Sequence, residues 1–157
     1  MLRSAARVGD WIFVSGTLGG SYASKKHLRF EPRVNEARWL VKNFRVHAMM
    51  DLSDGLASDI RRIAEPSGVG AVLEEGAIPV SRRAASVRNA LSDGEDFELL
   101  FTLSPAEGRK LLRKKTPSGF PKFTKVGEIV PKARGIGLRR RNGRLEGLRV
   151  SGFDHFR

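Results

Sequence analysis

The chain has 157 residues, 40% of them hydrophobic and 29% charged, enough for one domain with a real core. It contains no cysteine and no apolar run of bilayer length, which excludes disulfides, thiolate chemistry, cysteine–zinc sites and a spanning helix. Lys and Arg number 29 against 17 Asp and Glu, a formal net charge of +12, so a polyanionic partner has to be weighed.

Asp10 to Ser15, with Trp11, Ile12, Phe13 and Val14, reads as a strand. Gly16, Gly19 and Gly20 follow in a loop. Such a loop can bring backbone N–H groups close to a phosphate, but it lacks the spacing of a P-loop, and a plain turn is the simpler reading. Ser21 to Pro32 is polar and irregular. Asn35 to Phe44 reads as a helix with Ala37, Leu40, Val41 and Phe44 on one face and Trp39 as a packing residue.

Val46 to Met50 reads as a short buried strand. Asp51, Ser53, Asp54 and Gly55 interrupt it, and Leu56, Ile60 and Ile63, with Ala57 and Ala64, continue at helical spacing. Two carboxylates and a hydroxyl therefore sit where a strand ends and a helix begins. Backbone N–H groups point outward at such a place and the helix dipole favours an anion. Carboxylates there would repel a phosphate unless a cation lay between them, and hard oxygen ligands suit Mg²⁺. The expectation is a Mg²⁺–nucleotide phosphate site at Asp51 and Asp54. The simpler alternative makes Ser53 or Asp54 an N-cap.

This helix should stop near Pro66-Ser67-Gly68. Val69 to Leu73 reads as a strand, Ala77 to Val80 as an extended piece, and Ser81 to Leu91 as an amphipathic helix. Ser92 to Asp96 forms a tight acidic loop before a strand over Phe97 to Leu103. The four carboxylates from Asp93 to Glu98 call for a cation or for Arg and Lys partners, with a solvated loop as the equal alternative. Ser104-Pro105-Ala106-Glu107 opens a helix running to about Lys115. Thr124 to Val130 and Ile136 to Arg141 read as strands, with Asn142-Gly143 turning into Leu145 to Val150. His27, His47 and His155 show no metal-ligand spacing. The pattern is α+β (mixed α/β): a single domain with a mixed sheet flanked by helices.

The basic residues are spread along the chain, with clusters at Lys25-Lys26, Arg109 to Lys115 and Arg139 to Arg141. No RNA-binding aromatic signature or zinc-finger spacing accompanies them, so nucleic acid is not the expected partner. A positive field would also serve an acidic small molecule such as ATP. A basic nucleic-acid-binding module is the alternative reading. No signal-peptide pattern opens the chain, so no membrane partner is expected and a cytoplasmic location is the default.

Several stretches together resemble thiamine-monophosphate kinases. Arg3 to Gly19, with Gly9-Asp10 and Gly16-Thr17-Leu18-Gly19, is similar to one segment of that family, and Phe30-Glu31-Pro32-Arg33-Val34 to another. Met50-Asp51-Leu52-Ser53-Asp54-Gly55-Leu56 resembles its Asp-x-Ser-Asp-Gly-Leu motif. Gly94-Glu95-Asp96-Phe97-Glu98-Leu99-Leu100-Phe101-Thr102 and the closing Gly152-Phe153-Asp154-His155-Phe156 follow in family order. After Gly20 the family usually has a Gly-Asp-Ser-Ala-Ala-Gly-Leu run and a helix, where this chain has a shorter Lys-containing loop.

The resemblance implies the C-terminal domain, over residues 1–157, of an enzyme in the aminoimidazole ribonucleotide synthetase-like superfamily. It implies that the family's N-terminal domain is absent, leaving a fragment or a truncated product. The implied activity is ATP- and Mg²⁺-dependent phosphorylation of thiamine monophosphate to thiamine diphosphate, with little turnover by this half alone. A separate N-terminal domain or self-association would then complete the site. By resemblance Asp51 and Asp54 are Mg²⁺ ligands, Arg3 and Ser53 contact ATP, and Glu95 and Phe153 face thiamine monophosphate. Another enzyme of the superfamily, such as a selenophosphate synthetase or a hydrogenase-maturation relative, is the competing expectation.

Overall fold

Trp11, Ile12, Phe13 and Val14 alternate between two faces of a sheet, and both faces are covered. The computed structural model describes residues 2–148. Its strands are β1 (Trp11–Ser15), β2 (Val46–Asp51), β3 (Gly70–Glu74), β4 (Leu99–Leu103), β5 (Phe123–Val130), β6 (Ile136–Arg139) and β7 (Leu145–Gly147). They form one sheet in the order β2-β4-β1-β5-β3-β6-β7. Neighbours run antiparallel except β3 and β6, which are parallel, so the sheet is mixed as expected.

The helices are α1 (Ser21–Ser24), α2 (Val34–Asn43), α3 (Leu56–Ala64), α4 (Val87–Ser92) and α5 (Pro105–Arg113). On one face Ile12, Val14, Leu73 and Leu100 meet Leu56, Ile60 and Ile63 of α3 and Ala90 and Leu91 of α4. On the other, Phe13, Phe101 and Phe123 meet Leu40 of α2, Phe44 and Leu111 of α5. Each of these Leu, Ile, Val and Phe side chains contributes about 1.5–3 kcal/mol by leaving water. Phe13 and Phe101 stack at 5.4 Å, and Trp39 stacks on Phe123 at 6.0 Å, which confirms Trp39 as a packing residue.

Several element boundaries depart from the sequence reading. The helix expected over Ser81 to Leu91 spans only Val87–Ser92, capped by the Ser86 hydroxyl, which accepts the Asn89 N–H. The reason is tertiary. Leu18 bridges Val80, the Ser81 N–H donates to Leu18 O at 2.9 Å, and Gly20 packs on the backbone of Arg83 and Ala84. That pairing holds Ser81 to Ala85 in turns. Val41, placed on the apolar face of α2, is 46% exposed. Part of the stretch read as irregular forms α1 and a 3₁₀ turn at Lys26–Leu28. The Ser104 cap, the Pro105 start of α5 and the Asn142-Gly143 hairpin stand as read.

Candidate functional site

Three loops meet at one end of the sheet. Gly16 to Gly20 follows β1, Leu52 to Gly55 follows β2, and Asp93 to Glu98 precedes β4. Backbone hydrogen bonds join the last two: Leu52 N–H donates to Glu98 O at 2.7 Å, Phe97 N–H to Leu52 O at 2.9 Å, and Glu95 N–H to Ser53 O at 2.7 Å. Glu95 and Phe97 adopt positive φ, 64° and 50°, a conformation that costs a non-glycine residue about 1 kcal/mol or more. The bonds to Leu52 and Ser53 hold them there.

The glycine loop joins through carboxylates. Asp96 accepts the Gly19 N–H at 2.8 and 3.0 Å, and Asp93 accepts the Gly20 N–H at 3.1 Å. Ser21 donates to Glu95 O at 2.8 Å and to Asp96 at 3.3 Å. The N–H groups that could have faced a phosphate are therefore satisfied by this chain's own acids. Burial pushes the Asp96 carboxyl up to about 6, against the pull of the Gly19 N–H, Lys26 and Ser21.

Glu98 is buried beneath the glycine loop. It accepts from Ser15 at 2.6 Å, from Lys26 at 2.7 Å, and from Arg33 at 2.9 and 3.0 Å. Burial alone would raise its carboxyl, but the bonds from Arg33, Lys26 and Ser15 hold it below the usual range. The expected Arg and Lys partners of the acidic stretch are thus Lys26 and Arg33, and they serve Glu98. Asp93 and Asp96 use backbone N–H groups instead.

Neither Ser53 nor Asp54 caps α3. Gly55 occupies the cap position at φ 93° with no side-chain cap bond. Asp59, fully buried in α3, reaches back to accept the N–H groups of Ser53 at 2.9 Å and Asp54 at 3.1 Å. Burial pushes its carboxyl up to about 6, opposed by those two bonds and by Arg62. Arg62 bridges Asp59, at 3.1 Å, and the Asp54 carboxylate. The sequence did carry a signal for Asp59: it is the one charge on the apolar stripe of Leu56, Ile60 and Ile63.

The fold therefore joins Ser53, Asp54 and Glu95 through the meeting loops. Asp51 ends β2, exposed, and its side chain makes no hydrogen bond or ion pair among the described residues. Asp54 is neutralised by Arg62. Arg3 is exposed; its carbonyl accepts from Ser67 beyond α3, and Leu2 O accepts the Met49 N–H beside β2. Phe153 lies outside the described residues. No cluster of three or more acids or histidines able to hold a metal occurs among the described residues.

Residues 7–138 match the family AIR synthase related protein, C-terminal domain. A thiamine-monophosphate kinase of Rhodopirellula baltica is 39% identical over 98% of this chain and 50% of its own length. The Escherichia coli K12 thiamine-monophosphate kinase is 32% identical over 99% of this chain and 55% of its own. The chain spans about half the length of the curated relatives it matches. A solved structure of AaThiL complexed with AMPPCP and TMP superposes with a TM-score of 0.77 at 27% identity, over 98% of this chain and 53% of that one. The E. coli hydrogenase maturation protein HypE shares the fold, at TM-score 0.78 and 20% identity over 99% of this chain and 52% of that one.

Proposed function

This chain belongs to the family of AIR synthase related proteins, C-terminal domain, and we propose that it is the C-terminal half of a thiamine-monophosphate kinase. The reaction moves the γ-phosphoryl group of ATP to a phosphate oxygen of thiamine monophosphate. The bond to the bridging oxygen of ATP breaks, and thiamine diphosphate and ADP result. Two polyanions must approach in line, so positioning and charge neutralisation carry the catalysis. The other half of the relatives' length completes the site. The observation that most supports this reading is the superposition on AaThiL complexed with AMPPCP and TMP.

The residues present fit Mg²⁺. The ion is commonly held by one or two carboxylates with the remaining positions left to water and substrate phosphates. Asp51 offers an exposed carboxylate without a partner in the described chain. Asp54 is 23% exposed at its side chain, and its partner Arg62 is 46% exposed, so the arginine can move aside. Bound Mg²⁺ would supply charge neutralisation between the phosphates. Asp51 and Asp54 would hold it, while Ser53 and Arg3 would bind the ATP phosphates. Glu95 and Phe153 face thiamine monophosphate, where an aromatic wall favours a cationic ring.

Calorimetric titration with AMPPCP tests the assignment. Binding is expected to require Mg²⁺ and to weaken at least about tenfold, or 1.4 kcal/mol, in an Asp51→Asn/Asp54→Asn variant. Mg²⁺-dependent binding that persists unchanged in that variant overturns the assignment.

A further inference from the structure

Cations scattered along the sequence converge in the fold. Arg38 and Lys42 lie one helical turn apart on α2, and Arg45 follows it. Arg109 and Arg113 lie one turn apart on α5, with Lys114 and Lys115 after it. Both helices cover the same face of the sheet, because Leu40, Phe44 and Leu111 share one core. Lys122 and Lys125 border that face at the start of β5. All of these side chains are exposed except Lys125, which is half-buried.

None of these cations forms an ion pair among the described residues. Lys125 and Arg109 instead flank the Trp11 ring at 4.3 and 5.7 Å. The acids of α2 and α5 do not offset the charge. Glu36 is buried and pairs with Arg33, and Glu107 pairs with Lys110 while accepting the Arg45 N–H. Ten of the 17 acids fall between residues 51 and 98, and six of them, Asp54, Asp59, Glu65, Glu74, Glu75 and Glu98, pair with cations that do not belong to this face.

Two hollows of the described chain lie away from these helices. A hollow of 1040 Å³ beside α3, α4, β6 and β7 is lined by none of these cations, and one of 560 Å³ near the glycine loop includes only Lys122. A lipid surface would need an apolar wedge among the cations. The large exposed apolar side chains of α2 and α5 are Val34, Val41 and Leu112, while the Trp11 and Trp39 rings are engaged in packing. A field of Arg and Lys that form no ion pair among the described residues, with only Val34, Val41 and Leu112 as exposed apolar neighbours on the two helices, suits an extended polyanion.

We propose that the face formed by α2 and α5 binds the phosphate backbone of nucleic acid without reading its sequence. Arg and Lys contacts to phosphate position a protein on nucleic acid and release its counterions. This does not depend on the kinase reading, since none of these residues belongs to that site. The scatter of the cations in sequence argued against such a partner, and the fold removes that objection.

Fluorescence anisotropy with a labelled oligoadenylate of about 20 nucleotides, titrated at about 50 to about 200 mM NaCl, tests the proposal. If about four cations engage, log Kobs falls against log[salt] with a slope of about −3. An Arg38→Glu/Lys42→Glu/Arg109→Glu/Arg113→Glu variant loses at least about tenfold in affinity and flattens the slope. A control with the same charge change, Arg82→Glu/Arg83→Glu/Lys132→Glu/Arg134→Glu, stays within about twofold. Thermal unfolding verifies both variants, and alanine versions replace either one that unfolds early. Absence of salt-dependent binding overturns the proposal. So does an equal loss in both variants, which would mark a diffuse charge effect, or capture by phosphatidylserine vesicles without capture of the oligonucleotide.

Discussion

Asp59 accepts the backbone N–H of Ser53 at 2.9 Å from within the helix that follows it. A buried acid in α3 thereby fixes the loop that carries Ser53 and Asp54. Asp59→Ala strands two N–H groups and the inner end of Arg62. We expect a loss of about 2 kcal/mol in urea unfolding, with Asp59→Asn costing less because its amide oxygen still accepts. Equal stability of wild type and the alanine variant would remove Asp59 from this role.

Asp96 gives a pH signature. Its folded value of about 6 lies above the ordinary 3.8, so the folded state holds the proton more tightly. This contribution is present below the unfolded value and is lost as pH rises through the folded one. The stability of wild type relative to Asp96→Asn should therefore fall by up to about 3 kcal/mol between pH 4 and 7. Denaturant curves for both proteins across that range measure the difference. A pH-independent difference would contradict the burial of this carboxyl.

Glu98 ties Ser15, Lys26 and Arg33 to one buried point. Glu98→Gln removes the charge that compensates two cations, and should cost about 3 kcal/mol in equilibrium unfolding. Lys26→Ala should cost less, about 1 kcal/mol, because Lys26 is partly solvated and Arg33 remains. Equal losses in the two variants would show that Arg33 does not hold Glu98.

Much of the framework could be read from the chain. The run of β-forming residues Trp11 to Val14 marked β1, the Leu56-Ile60-Ile63 stripe marked α3, and Ser104-Pro105 marked the start of α5. The failures have a common origin in contacts distant in sequence. Ser81 to Ala85 has helical periodicity, yet Leu18 and Gly20 recruit its backbone. The partners of the glycine-loop N–H groups could not be read because Asp93 and Asp96 lie more than seventy residues away. Arg62 could not be paired with Asp54 until the turn before α3 had folded back.

Gly108 in α5 reverses an ordinary rule. Alanine normally stabilises an exposed helix by about 1 kcal/mol relative to glycine. Here a Cβ would lie 2.6 Å from Trp11 and 3.2 Å from Phe13. Gly108→Ala should therefore destabilise by about 1–3 kcal/mol, seen as a lower Tm. An unchanged or higher Tm would mean that Trp11 moves freely.

We propose that this chain contributes half of a phosphoryl-transfer site. The most direct test is thiamine diphosphate formation from ATP, Mg²⁺ and thiamine monophosphate. The chain is mixed with a polypeptide matching the remainder of the Rhodopirellula baltica relative. Little product is expected from either piece alone, with turnover on mixing that Asp51→Asn abolishes. Turnover on mixing that Asp51→Asn leaves intact, or product only from a non-thiamine acceptor, would contradict the account.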